Sequence, residues 1–129
     1  MIAKNNGAKT AKKILIAEDE ASLAKALALK LGGLGFGVKV ATDGEEALVE
    51  LKKNHYDLLL LDLMMPKLDG FGVLAAMKTW KSKPLVLISS NLSQKSDRDK
   101  AIKLGAKDFL VKADVSLKAV VETINKMLK

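Results

Sequence analysis

The stretch LLLLDLMMPKLDG, residues 58–70, places an acidic residue directly after four leucines. An uninterrupted apolar run of this length, bounded by turn residues, is typical of a strand that is covered on both faces. Asp62 therefore stands at the exit of a buried strand, where a carboxylate is either solvated or used for chemistry. The residues that follow lead into a predicted helix that carries Phe71, Leu74 and Met77.

Four further apolar segments along the chain repeat this order of strand and helix. Each is followed by residues at helical spacing, such as Leu23, Leu27 and Leu31 after the first segment. Asp43, with Glu46 three residues later, is the expected N-cap of the second helix. Five such units predict an α/β fold, a doubly wound parallel sheet with helices on both faces. The four segments are KILIAE (13–18), FGVKVA (36–41), PLVLIS (84–89) and DFLVK (108–112).

Length and composition exclude several classes of protein. With 129 residues, 49% of them apolar, the chain is expected to form one folded domain over residues 12–129, preceded by a basic tail, residues 1–11. No apolar run reaches the roughly 18 residues of a membrane span, and the N-terminus lacks the apolar middle of a signal peptide, so a cytoplasmic location is expected. Without cysteine, and with His55 as the single histidine, disulfides, thiolate metal sites and histidine-rich zinc sites are excluded.

Polar residues stand at the exits of four of the five predicted strands. In a doubly wound sheet, ligands bind outside the carboxyl ends of the strands, so these side chains are expected to converge. Carboxylates that lie about 4 Å apart repel by roughly 4 kcal/mol at an effective dielectric constant near 20, which calls for a cation. Oxygen ligands without histidine or thiolate favour magnesium or calcium. The converging residues are Glu18, Asp19, Asp62, Ser89 and Lys112.

A magnesium ion beside an aspartate, with a lysine and a serine hydroxyl opposite, is an arrangement for phosphoryl transfer. The carboxylate attacks phosphorus, the metal and the lysine neutralise the phosphoryl oxygens, and an aspartyl phosphate results.

In order and spacing, these residues resemble the receiver domain of two-component response regulators, in particular its stand-alone, chemotaxis-type members. The resemblance covers residues 12–129 and implies a flavodoxin-like strand order of 2-1-3-4-5 with five helices. It also implies a phosphoacceptor that assists its own phosphorylation and dephosphorylation, and is not an enzyme acting on other molecules. The roles it implies are phosphoacceptor for Asp62, Mg²⁺ ligands for Glu18, Asp19, Asp62 and the backbone carbonyl of Met64, switch residues for Ser89 and Phe109, and phosphate-binding lysine for Lys112.

The resemblance further implies a sensor histidine kinase or phosphotransfer protein as donor and another protein as downstream effector. On phosphorylation, Phe109 is expected to rotate from a more exposed to a more buried position. A pseudo-receiver, which binds proteins without being phosphorylated, is the alternative function, although the intact acid set argues against it. The net charge of +7 raises a third possibility, nucleic-acid binding, but Arg98 is the sole arginine and aromatic residues are few, which argues against base-specific binding.

Three positions depart from the usual pattern of the family. Glu18 replaces the commoner aspartate, Ser89 replaces threonine, and Ala113 stands where proline usually follows the lysine. The peptide bond before that proline is often cis, and a cis bond before another residue costs about 2.5–4 kcal/mol. The loop after Lys112 is therefore expected either to be trans with a different shape or to retain that strain.

Overall fold

All five apolar segments form strands in the computed structural model, which describes residues 11–129. Strands and helices alternate, as the sequence pattern predicts. Of the predicted basic tail, residues 1–10 lie outside the described residues. The elements are β1 (Lys13–Ala17), α1 (Ala21–Gly33), β2 (Gly37–Ala41), α2 (Gly44–Lys53), β3 (Leu58–Leu61), α3 (Gly70–Met77), β4 (Leu85–Ser90), α4 (Lys95–Lys103), β5 (Asp108–Val111), a 3₁₀ turn (Lys112–Asp114) and α5 (Leu117–Met127).

The strands form one parallel sheet in the order β2-β1-β3-β4-β5, which confirms the predicted fold class and strand order. Leu61, the last residue of β3, is paired with Ala17 of β1 and with Ile88 of β4. Because the strands are parallel, their carboxyl ends meet at one edge of the sheet.

The four leucines of β3 are buried on both faces of the sheet, as predicted. Leu58 and Leu60 belong to an apolar cluster that includes residues of α1 and α5, whereas Leu59 and Leu61 belong to a second cluster that includes residues of α3. This division follows from the alternation of side chains along a strand. The sheet therefore lies between two layers of helices, which hold β3 at its centre.

Local hydrogen bonds fix where several helices begin. The Asp43 side chain accepts a hydrogen bond from the Glu46 N–H at 2.8 Å, which confirms the predicted N-cap of α2. Asp69 caps α3 in the same way through the Gly72 N–H, also at 2.8 Å. A Cβ atom on Gly70 would lie 2.6 Å from the Asp62 carbonyl oxygen, so only glycine lets α3 start this close to the end of β3.

Helix α4 differs from the other helices in how little of it is buried. Ala101 is its one buried residue, and its N-cap, Gln94, makes no side-chain capping hydrogen bond. Lys100 lies over the ring of Phe71 on α3, 4.3 Å from the ring centroid, in a cation–π contact. Few apolar contacts hold this helix to the sheet, which is typical of elements that open or move at low cost.

Across residues 11–129, no helix is long and apolar enough to cross a lipid bilayer.

Candidate functional site

Three carboxylates gather at the carboxyl edge of the sheet. Glu18 directly follows β1, Asp19 comes next, and Asp62 directly follows β3. One oxygen from each of the three lies within 4.8 Å of the others. Glu18 and Asp62 are only 4% and 5% exposed, whereas Asp19 is exposed to solvent. This set of hard oxygen donors, open on one side, is compatible with a divalent cation such as Mg²⁺.

Lys112 directly follows β5, the edge strand of the sheet, and its side chain contacts this cluster. It opens the 3₁₀ turn after β5, and its side chain is largely buried. Its Nζ atom lies 2.6 Å from Glu18 Oε1 and 3.0 Å from Asp62 Oδ2. The ammonium group therefore bridges the two buried acids and offsets their mutual repulsion.

Backbone N–H groups bind the other oxygen of each buried acid. Asp62 Oδ1 accepts a hydrogen bond from the Met64 N–H, and Glu18 Oε2 accepts one from the Glu20 N–H, both at 3.1 Å. Each carboxylate is thus held in a fixed orientation by Lys112 and by one backbone N–H. The predicted role of Met64, a carbonyl ligand for the metal, stays a prediction.

Ser89 lies on the strand next to Asp62. It is buried, and it follows Ile88, whose β3 partner Leu61 immediately precedes Asp62. The two side chains therefore stand at equivalent positions on neighbouring strands, as the sequence predicts.

Phe109 lies in the core of the structure. Its ring is already buried, at 4% exposure, in the apolar cluster that includes Leu59 and Val73. The structure shows the buried position of the ring, and its rotation from a more exposed to a more buried position on phosphorylation stays a prediction. The alternation of inward and outward positions identifies Phe109 as a residue with access to the core, but it does not fix the rotamer of the ring.

The loop after Lys112 has no cis peptide bond, and neither does any other part of residues 11–129. Of the two shapes that the sequence left open, the structure therefore has the trans form, with Lys112, Ala113 and Asp114 in a single 3₁₀ turn. This turn still brings the Lys112 ammonium to both acids.

The family model described as the response regulator receiver domain matches residues 14–125 of the chain. The chain belongs to this family. Solved receiver domains share its fold: the receiver domain of the Francisella response regulator 1452 superposes with a TM-score of 0.83 at 31% identity, over 90% of this chain and 95% of that one. A CheY-like receiver domain protein from Methanospirillum hungatei gives a TM-score of 0.86 at 20% identity, over 92% and 94% of the two chains, and supports the fold alone.

The curated relatives that the chain matches are longer proteins, of which it covers only a part. The "Probable transcriptional regulator ycf27" of Porphyridium aerugineum is 45% identical over 100 residues, which is 78% of this chain and 41% of that protein. The "Gliding motility regulatory protein" of Myxococcus xanthus is 36% identical over 96 residues, which is 73% of this chain and 12% of that protein. This receiver domain therefore spans about two fifths or less of the length of these relatives.

Burial and hydrogen bonding shift the pKa values of two site residues of the receiver domain. Burial raises the pKa of Glu18 above its ordinary value, and the hydrogen bond from Lys112 opposes this only in part. For Lys112, burial lowers the pKa, but the hydrogen bonds to Glu18 and Asp62 outweigh burial, so the pKa is raised. Lys112 is therefore charged at neutral pH, whereas an ionised Glu18 is held at a cost to the folded state.

Replacing Glu18 by glutamine is expected to stabilise the magnesium-free protein at neutral pH. Because the folded-state pKa of Glu18 is raised, its ionisation costs stability as the pH rises through that value, and below the unfolded-state value the penalty is absent. Glu18→Gln should raise Tm by about 2–4 °C at pH 7, roughly the effect of 0.5–1 kcal/mol in a domain of this size. Calorimetric scans from pH 4 to 8 should show the difference between variant and parent shrinking toward acid pH. A Glu18→Gln variant less stable than the parent throughout this range would show that the Lys112 ion pair dominates.

One contact at the site is not apparent from sequence patterns. The Ala113 N–H donates a hydrogen bond to Asn91 Oδ1 at 3.0 Å, across 22 residues of sequence. Asn91 directly follows β4, where an asparagine is an ordinary loop residue. Only the strand order shows that it faces the turn after β5.

Proposed function

We propose that this chain is a phosphoacceptor receiver module in which Asp62 takes a phosphoryl group in a magnesium-dependent reaction. The observation that carries the proposal is the pair of contacts from Lys112 Nζ to Asp62 and Glu18, beside the exposed Asp19 carboxylate. Burying two acids and a lysine in direct contact costs desolvation free energy, and this arrangement has no evident structural purpose. Phosphoryl transfer uses each of these groups.

The residues fit a magnesium ion, with Glu18, Asp19, Asp62 and the Met64 carbonyl as its predicted holders. When bound, the ion would supply positive charge to the phosphoryl oxygens. A carboxylate oxygen of Asp62 attacks phosphorus, and the bond from phosphorus to the donor atom breaks, with its electron pair leaving on the donor. Lys112 exchanges its contact with Asp62 for a phosphoryl oxygen, and the Ser89 hydroxyl donates to another. The chain binds the phosphoryl group covalently and is itself modified, so it is proposed as a phosphoacceptor and not as an enzyme acting on other molecules.

Partners and location belong to the same proposal. A phosphohistidine on a sensor kinase or a phosphotransfer protein suits the role of donor, because its P–N bond provides a good leaving group. The effector is a protein that distinguishes the phosphorylated from the unphosphorylated surface. The functional unit is residues 12–129, acting in the cytoplasm where ATP-derived phosphoryl groups are available.

Labelling with a small phosphodonor tests this function directly. We expect the intact chain to gain one phosphoryl group from acetyl phosphate when magnesium is present, and far less when the metal is chelated. Mass spectrometry of the intact protein measures the adduct. A chain that binds magnesium but gains no adduct would instead be the pseudo-receiver of the alternative hypothesis.

The proposed output is a shift in population around β4, α4 and β5. A phosphoryl group adds about −1.5 to −2 units of charge, and Ser89 and Lys112 are the groups placed to respond to it. Because Phe109 is already buried, phosphorylation is proposed to favour the inward ring, not to create it. Helix α4, which buries only Ala101, is the element that such a change moves at the lowest cost.

Replacing Ser89 by alanine is expected to weaken the switch without preventing phosphorylation of Asp62. In the parent, beryllofluoride with magnesium should shift backbone amide resonances across residues 89–112. In Ser89→Ala the same addition should produce smaller shifts in this segment, because the hydroxyl that contacts the phosphoryl group is missing. Shifts limited to the neighbours of Asp62 in the parent would mean that the chain accepts phosphate without switching.

A further inference from the structure

We propose that Asn91 is a positioning residue that holds Lys112 in contact with Glu18 and Asp62. Its side-chain Oδ1 atom accepts the Ala113 N–H at 3.0 Å. Ala113 is the residue directly after Lys112 and the middle residue of the 3₁₀ turn. The hydrogen bond thus fixes the backbone from which the catalytic ammonium group extends.

The sheet itself does not hold this part of the backbone. The pairing of β4 with β5 ends at Ser90 and Val111, one residue before Asn91 and Lys112. Beyond that pair, the Asn91 side chain supplies the next connection between the two chain segments. It therefore connects the segments that follow β4 and β5, directly beyond the last strand pair and next to the site.

The residues on either side of Asn91, Ser90 and Leu92, are both fixed in place. On one side Ser90 is fully buried, and its Oγ atom accepts the Leu92 N–H at 3.3 Å, which closes the backbone around Asn91. Leu92 packs against the apolar cluster under α3. These contacts fix the backbone of Asn91, so that only the rotamer of its exposed side chain has to be ordered when it accepts the Ala113 N–H.

The opposite end of the turn is also fixed, so that the hydrogen bond from Ala113 closes a short, defined segment. Ser116 caps α5 by accepting the Ala119 N–H at 3.0 Å. The chain between β5 and α5 is thereby held at Val111, at Ala113 and at Ser116. Lys112 lies between the first two, and its Nζ atom reaches Glu18 at 2.6 Å and Asp62 at 3.0 Å.

Asn91 also lies two residues after Ser89. A single side chain consequently connects the loop that follows Ser89 with the turn that carries Lys112. These are the two groups that respond to the phosphoryl group in the proposed function, on which this part of the inference rests. The contact makes their positions depend on one another.

The test compares variants that remove or keep the acceptor. Asn91→Leu is close in size but cannot accept a hydrogen bond, whereas Asn91→Asp keeps an acceptor oxygen in place. Ala113→Pro removes the donor N–H from the other side. The readouts are the side-chain ammonium resonance of Lys112 and the hydrogen exchange of the Ala113 amide, both followed by NMR; neither depends on phosphorylation.

We expect Asn91→Leu to speed exchange of the Ala113 amide by about tenfold, the effect of one lost hydrogen bond. It should also move the Lys112 ammonium signal toward that of a solvated lysine. Asn91→Asp should keep both readings near those of the parent. In the Ala113→Pro background, adding Asn91→Leu should not move the Lys112 signal any further.

Phosphorylation by acetyl phosphate gives the functional readout. Asn91→Leu should lower the rate at saturating magnesium by about 2- to 10-fold, with magnesium affinity unchanged. An unchanged Lys112 signal in Asn91→Leu, or additive effects of Asn91→Leu and Ala113→Pro on that signal, would overturn the positioning role. A parent protein that takes up no phosphoryl group would refute the proposed function instead, while the NMR readings still decide the role of Asn91.

Discussion

Asp62→Asn is expected to abolish phosphorylation and to leave the fold intact. The amide has nearly the shape of the carboxylate, so the oxygen that accepts the Met64 N–H can stay in place. Lys112 keeps its contact with Glu18 at 2.6 Å. The variant loses the ion pair from Lys112 to Asp62 Oδ2. It also loses the nucleophile, because an amide attacks phosphorus far more weakly than a carboxylate does.

Incubation with acetyl phosphate and magnesium, followed by mass spectrometry of the intact chain, measures the effect. Asp69→Asn is a matched control, since it changes an acid of the same loop to a residue that can still cap α3. The control should gain the adduct as the parent does, and Asp62→Asn should gain none. An equal adduct on Asp62→Asn would show that another residue accepts the phosphoryl group.

Asp19→Asn is expected to have the second largest effect, a loss of magnesium affinity by at least about tenfold. Residues that only orient a metal ligand typically cost 10–100-fold when they are replaced, and Asp19 is proposed to bind the metal itself. As the exposed member of the three-carboxylate cluster, it can reach an entering ion first. Phosphorylation at limiting magnesium should slow correspondingly.

Titration calorimetry with magnesium provides the measurement. Glu20→Gln is the matched control, because it removes a neighbouring exposed acid that lies outside the cluster. The control should bind magnesium like the parent. If Asp19→Asn also did so, the cluster would not be the metal site.

The fold was predictable because the sequence patterns that determine it lie within short segments of the chain. Four buried leucines with an acid behind them identify a central strand, and five repeats of strand and helix leave few arrangements. The convergence of Glu18, Asp62 and Lys112 followed in turn, because each residue stands at the exit of a parallel strand. The structure adds that the Asp62 N–H still bonds to the Ala17 carbonyl, at 3.0 Å, so the acid leaves the strand while its backbone remains held by the sheet.

Other features depend on tertiary contacts, which the hydrophobic periodicity of the sequence does not predict. The hydrogen bond from the Ala113 N–H to Asn91, which holds the turn after Lys112, joins residues 22 apart in sequence. The inward ring of Phe109 depends on the rotamer chosen within a packed cluster, and hydrophobic pattern does not fix a rotamer. Sequence reasoning thus identifies which side chains reach the site, whereas their orientation has to be observed.

Asp62 is proposed to carry the phosphoryl group, and chemical trapping tests this most directly. Borohydride reduces an aspartyl phosphate to homoserine, so phosphorylated chain can be trapped, digested and sequenced by mass spectrometry. We expect homoserine at position 62, formed only when both the phosphodonor and magnesium were present. Homoserine at Asp19 or at another acid, with Asp62 unmodified, would contradict it.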